Sequence, residues 1–286
     1  MGIPKVIHYC WFGRKQLPKD AVDCIESWKK YYPDYEIVEW NEDNFNVNIC
    51  DYVKEAYAEK KWAFVSDYAR FWILYNYGGL YFDTDVEVIK RASDIIAKGS
   101  FMGNEYGLEQ NTVLVNPGLG MGAEKGLAFF KTVLDYYNNI HFDKFHMKTI
   151  CEYTTELLNE QGYQYDGKIE KITGLNIYPV DYFCPMNYYT GEISITENTC
   201  SIHHYSATWI TDKEKKVKQV QKKLETSVYK GYKRDKIEMR GDRAEISDFP
   251  LYLNTVAGGL DCRDQTIGGF SFVVKIYAVP VVEIIG

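Results

Sequence analysis

The chain has 286 residues, 46% hydrophobic and 26% charged, enough for one large globular domain or one domain with an appendage. A net charge of −7 argues against nucleic acid as a partner. Seven cysteines at 10, 24, 50, 151, 184, 200 and 262, with no C-x-x-C pair, point to scattered core thiols in a reducing compartment, not to a disulfide framework or a zinc site.

Lys5–Trp11 reads as a buried first strand ended by Gly13, with no charged and then apolar leader before it. No uncharged apolar run long enough to span a bilayer occurs, so the expected location is cytoplasmic. Ala21, Cys24, Ile25 and Trp28 fall at helical spacing between Lys19 and Tyr32, and Pro33 stops that helix. Glu36–Trp40 alternates as a second strand. Asp51–Lys60 predicts a short helix, and Ala63–Tyr77 a longer, mostly apolar one closed by Gly78-Gly79. Leu80–Phe82 and Val86–Ile89 follow as strands. This order predicts an α/β layer with a largely parallel sheet, in which ligands collect at the carboxyl ends of strands. Further helices are expected near Gly122–Asn138 and Phe145–Glu160, with loops and short strands around Tyr178–Tyr189.

Composition shifts after Trp209. Between Lys213 and Arg243 twelve basic residues face five acidic ones. Beyond Leu251 the chain turns Gly-rich with β-branched runs. We therefore expect a main domain at 1–212 and, at 213–286, a basic helical segment with a strand-rich appendage. The basic segment reads either as a solvated helix face or as a peripheral contact with an anionic inner membrane surface.

The chemistry concentrates between Ser66 and Asp85. Asp83-Thr84-Asp85 places two carboxylates one residue apart at the end of an apolar strand, with Glu87 close by. Hard oxygen ligands of this kind suit Mn²⁺ or Mg²⁺, and an ion held there neutralises a leaving diphosphate. The plain alternative is a strand end with an Asx turn. Asp67 and Arg70 share one face of a helix that is apolar nearly all round. Such charges carry either a structural ion pair or a bound ligand. His8 on the first strand reads as a packed core residue.

Four stretches in order are similar to one family: Ile3–Gly13; Ser66-Asp67-x-x-Arg70; Gly78-Gly79-x-Tyr81-x-Asp83-x-Asp85; and His203-His204-Tyr205-Ser206-Ala207-Thr208-Trp209. Over about residues 3–212 they resemble glycosyltransferase family 32, the DXD-containing sugar transferases of capsule and polysaccharide synthesis. That family is distantly like the glucosyltransferase domains of large clostridial toxins. The resemblance implies an α/β fold of GT-A type, a Rossmann-like mixed sheet flanked by helices. It also implies a nucleotide-sugar donor (a UDP-sugar first), Mn²⁺ or Mg²⁺, a saccharide or lipid-linked acceptor, and transfer with retention.

By the same resemblance, Trp11 packs on the base, and Asp67 and Arg70 grip the donor sugar. Asp85 binds the ion directly, and Asp83 reaches the ribose or the ion's water shell. Ser206 and Trp209 belong to a segment closing over the diphosphate, although Ala207 stands where toxin-type segments carry serine. His204 is the favoured third metal ligand of the His203-His204 pair. Asp83, Asp85 and Arg70 are thus the residues expected to carry catalysis. Glu105 and Asn111 are weaker acceptor-side candidates. Two other readings of the D-x-D remain: a haloacid-dehalogenase-like phosphatase with Asp83 as nucleophile, and a non-catalytic nucleotide-sugar-binding protein.

Overall fold

The computed structural model describes residues 2–107, 112–188 and 190–206, and the backbone of five strands between 237 and 276. The chain divides into two compact units, Met1–Thr211 and Asp212–Gly286.

The first unit opens with β1 (Val6–Cys10), α1 (Lys19–Tyr31), β2 (Glu36–Trp40), α2 (Asp51–Ala58) and α3 (Trp62–Tyr77). It continues through β3 (Gly79–Tyr81), β4 (Val86–Val88), α4 (Ser93–Ala97), β5 (Phe101–Tyr106), β6 (Val113–Asn116), β7 (Met121–Ala123) and α5 (Ala128–Asn138). It ends with α6 (Ile150–Glu160), β8 (Glu170–Ile172), β9 (Leu175–Tyr178), α7 (Val180–Phe183) and β10 (Ser201–His203). Eight strands form one sheet in the order β2-β1-β3-β7-β5-β9-β8, with β6 on β5. β1 lies parallel to β2 and β3, and β5 parallel to β9, whereas β7, β6 and β8 join antiparallel. The α/β architecture with a mixed sheet flanked by helices is therefore as expected. The largely parallel sheet inferred from element order alone holds only around β2-β1-β3 and at the β5–β9 pair.

Two local expectations are corrected. Residues 121–123 are a strand, and the helix of that region starts at Ala128. α6 starts at Ile150, because the Thr149 side chain accepts from Glu152 N–H while the Glu152 carboxylate accepts from Thr149 N–H. That reciprocal cap fixes the first turn.

The sheet is covered on both faces. α3, α5 and α6 bury Phe71, Phe130 and Leu158 on one side, and α1 and α7 bury Trp28, Tyr32 and Phe183 on the other. Trp28 is fully buried and its indole donates to Val86 O at 2.7 Å, tying α1 to β4 just after the D-x-D. β4 pairs antiparallel with β10 in a separate ribbon, His203 opposite Val86. This pairing returns the chain end of the unit to the D-x-D. Among the described residues no helix is long and apolar enough to cross a membrane.

In the second unit β11 (Ile237–Arg240), β12 (Arg243–Ile246), β13 (Phe249–Val256), β14 (Gly259–Asp264) and β15 (Val273–Ile276) form an antiparallel meander, each strand paired with the next. The stretch 213–236 of the basic segment lies outside the described residues.

Candidate functional site

α3 is buried along most of its length, and this holds its two charged side chains in place. Asp67 is 6% and Arg70 3% exposed. The Arg70 guanidinium reaches Asp67 at 2.9 Å and Asp83 at 3.1 Å, and its Nε donates to Ser66 O. It also lies 5.1 Å from the centre of the Tyr81 ring, whose hydroxyl donates to the other Asp83 oxygen at 3.0 Å. Asp67, Arg70 and Asp83 thus form a row of alternating charge. Burial raises the Asp67 and Asp83 carboxyls above their usual range, with Arg70 pulling both back.

Two local features let β3 deliver Asp83 to that row. Gly78 and Gly79 have φ of +69° and +106°, left-handed values that side chains disfavour, and they turn the chain from α3 into β3. Gly118 comes so close that a Cβ there would stand 2.0 Å from Asp83 Oδ2, while its carbonyl accepts from Asp83 N–H at 3.1 Å. Gly118 is not apparent from the D-x-D pattern, since the approach is made from a distant loop.

Asp85 is held differently. His203 Nε2 lies 3.3 Å from one carboxylate oxygen, and Ser206 N–H donates to the other at 2.9 Å. Burial works to raise this carboxyl, but His203 and the Ser206 amide overcome it and leave it below the usual range. Burial likewise depresses His203, yet Asp85 beside it holds the imidazole well above its ordinary value. The two D-x-D carboxylates are thereby pushed in opposite directions, Asp83 toward the neutral form and Asp85 toward the anion.

His203 is therefore the histidine beside the D-x-D. His204 turns its ring to Glu87 at 2.9 Å, and only its backbone N–H reaches Asp85, at the carbonyl. Adjacent residues of an extended segment point opposite ways, and the β4–β10 register puts His203 on the Asp85 side. Ser206 contributes its backbone N–H to Asp85. Trp209 and Asn111 lie outside the described residues.

These groups open on a cleft of about 660 Å³ lined by Asp67, Arg70, Asp83, Thr84, Asp85 and His203 on one side, a volume within the range of small-molecule sites. Trp11 also lines it, its indole donating to Lys15 O, together with Trp62, Lys15, Lys60, Asn116 and Thr149 at the start of α6. Glu105 accepts from Asn116 and from Tyr205. His8 stays in the core under the sheet, between Gly78 O and the Trp40 indole. The donor set fits a hard divalent ion. Both D-x-D carboxylates line the cleft, Asp85 is anionic, and each carboxylate oxygen keeps lone pairs beyond those already used.

Residues 18–102 match the family described as the glycosyltransferase sugar-binding region containing DXD motif. This stretch is thus similar to a DXD-type sugar-binding region. It holds Asp67, Arg70, Asp83 and Asp85, so the resemblance expected from the sequence is borne out at the centre of the site. Two curated relatives, both from Schizosaccharomyces pombe, align over the same scale of length. Inositol phosphoceramide mannosyltransferase 1 is 28% identical over 111 residues, 35% of this chain and 33% of that protein. Inositol phosphoceramide mannosyltransferase 3 is 34% identical over 93 residues, 30% of this chain and 25% of that protein. The alignments thus span a third or less of each relative.

Among solved structures the chain is similar to the PaToxG glycosyltransferase, at a TM-score of 0.44 and 19% identity over 56% of this chain and 70% of that one. A glycosyltransferase involved in glycosylation of the PBCV-1 major capsid follows at 0.42 and 13%, over 76% of this chain and all of that one.

Proposed function

We propose that the chain is a glycosyltransferase that moves a sugar from a nucleotide-sugar donor to a saccharide or lipid-linked acceptor, with retention at the anomeric carbon. A surface polysaccharide is the proposed product, and the cytoplasm or the cytoplasmic membrane face the proposed setting. The observation carrying this reading is the buried Asp67–Arg70–Asp83 row beside an anionic Asp85 in one cleft wall, inside a DXD-type sugar-binding region.

Asp85, with Asp83 beside it, would hold Mn²⁺ or Mg²⁺. When bound, that ion would neutralise the diphosphate as it leaves. Trp11 offers an aromatic face to the base. Asp67 accepts hydrogen bonds from sugar hydroxyls, and Arg70 fixes Asp83 while offsetting part of the row's negative charge. Lys15 and Lys60 bring positive charge to the cleft, where phosphate oxygens need it. No side chain in the wall is required to act as a nucleophile. In front-face transfer the departing phosphate takes the acceptor proton. Both Asp83 oxygens already accept hydrogen bonds, from Arg70 and Tyr81. That favours a positioning carboxylate over the attacking carboxylate of a phosphatase.

A donor panel tests the proposal. It should contain UDP-sugars and, because the curated relatives are mannosyltransferases, GDP-mannose. One donor should raise the melting temperature in the presence of Mn²⁺ and be turned over, slowly to water and faster to an acceptor. Tight donor binding without turnover across a broad acceptor set would favour the non-catalytic reading. Absence of binding to every donor would overturn both.

A further inference from the structure

We propose that Glu105, Cys184 and His203 form a binding site for a thiophilic divalent cation of the zinc class, distinct from the hard-oxygen pair Asp83 and Asp85. One ligand atom from each lies within 4.8 Å of the other two. The three come from separate, well-anchored elements: Glu105 from β5, Cys184 from the end of α7, and His203 from the end of β10. Carboxylate, thiolate and imidazole together are a zinc-type donor set, three protein ligands with a fourth position open. Mg²⁺ and Mn²⁺ prefer all-oxygen shells and are the wrong ions here.

A second observation points to the same ligand. His203 Nδ1 is buried without a well-formed hydrogen bond, although buried polar atoms almost always have one, and the Cys184 thiol is the group besides Asp85 that acts on the ring. The opposite ring nitrogen, Nε2, is the one held by Asp85. An imidazole oriented by a carboxylate at one nitrogen and presenting the other is the arrangement that metal-bound histidines recurrently use. Asn116 donates to Glu105 Oε2 at 2.8 Å and fixes the second ligand in the same way.

Tyr205 fills the space between the other two. Its hydroxyl lies 2.9 Å from Cys184 Sγ and donates to Glu105 Oε2 at 3.2 Å, and its backbone φ is +51°, a conformation that few non-glycine residues adopt. The phenol therefore becomes the fourth ligand or swings aside. Zinc bond lengths imply ligand–ligand spacings of about 3.3–3.8 Å, so the separations shorten by up to about 1.5 Å. Binding releases the thiol proton, and any proton on Nδ1, to solvent. The consequence is mechanical: the ion pins the segment 203–206, whose Ser206 N–H and His203 ring hold Asp85. The ligands are too far apart in sequence for any spacing rule to reveal them.

The full chain, purified without chelator, should carry about one zinc per molecule. Stripped and titrated with Co²⁺, it should develop a thiolate-to-cobalt charge-transfer band. Cys184→Ser should abolish that band. Glu105→Gln, nearly isosteric and less of a risk to folding, should weaken the Co²⁺ midpoint at least about tenfold, and Asp85→Asn, which leaves all three proposed ligands in place but removes the carboxylate that orients His203, should keep the band with a midpoint weakened about 10–100-fold. Absence of a thiolate band overturns the proposal. So does a band that survives in Cys184→Ser, or a midpoint unchanged in Glu105→Gln.

Discussion

His8 should make the first unit sensitive to acid in a window set by its two partners. The ring is 3% exposed. The Trp40 indole N–H points at Nδ1 at 3.0 Å, and Gly78 O lies 3.0 Å from Nε2. An indole only donates and a carbonyl only accepts, so Nδ1 is bare, Nε2 carries the hydrogen, and the ring is neutral. Burial lowers its pKa from 6.5 to about 4, with the Gly78 carbonyl working weakly the other way. Between those values the unfolded chain binds the proton and the folded one does not. Stability is therefore fully present above pH 6.5 and falls as pH drops toward 4. About 2.5 pH units at 1.36 kcal/mol each give a loss of about 3 kcal/mol. For a unit of this size that is a fall of about 6–12 °C in melting temperature. His8→Gln retains a donor and an acceptor but cannot take up the proton. Other groups titrate in the same range, Asp67 with the opposite sign, and they cancel in the difference between wild type and variant. Melting curves followed by tryptophan fluorescence from pH 7.5 to pH 4 should show wild type losing about 3 kcal/mol more than His8→Gln. A difference that stays constant across the window would refute a neutral His8 locked by Trp40.

Arg70→Met strips the counter-charge from Asp67 and Asp83. Urea unfolding at pH 8 should show a loss of about 3–5 kcal/mol, smaller at pH 5, below the value of about 7 to which burial raises Asp67, and smaller again with Asp67→Asn added. Gly118→Ala drives a methyl group into Asp83 Oδ2. Calorimetry should find Mn²⁺-dependent donor binding weakened at least about tenfold, for a stability cost of only about 1–3 kcal/mol. Thr149→Ala removes the reciprocal cap at the start of α6 and should lower stability by about 1 kcal/mol, read as a small drop in melting temperature.

The centre of the site was legible because its signals are local. An apolar helix with two charges one turn apart, a Gly-Gly turn and a D-x-D after a short strand lie within twenty consecutive residues, Ser66 to Asp85. What escaped is long-range. The choice of His203 over His204 depends on the register of β10 on β4, which no pattern in either strand encodes. Gly118 matters only because a loop from after β6 passes over Asp83. β7 has only 3 residues, too few for periodicity to separate from helix, so the helix expected near Gly122–Asn138 takes in Gly122 and Ala123, which are strand. The Tyr81 hydroxyl, a partner of Asp83, was hidden because alternation predicts only that the residue is buried.

Asp85→Asn, assayed for donor turnover across a Mn²⁺ titration, tests the metal-and-diphosphate site most directly. The substitution keeps shape and removes the charge that His203 and Ser206 N–H hold in place. Wild type should turn over its donor only with the divalent ion present, and the variant should lose about 10²-fold or more at saturating metal while melting within a few degrees of wild type. Turnover that proceeds equally in Asp85→Asn, or in wild type stripped of divalent ions, would contradict it.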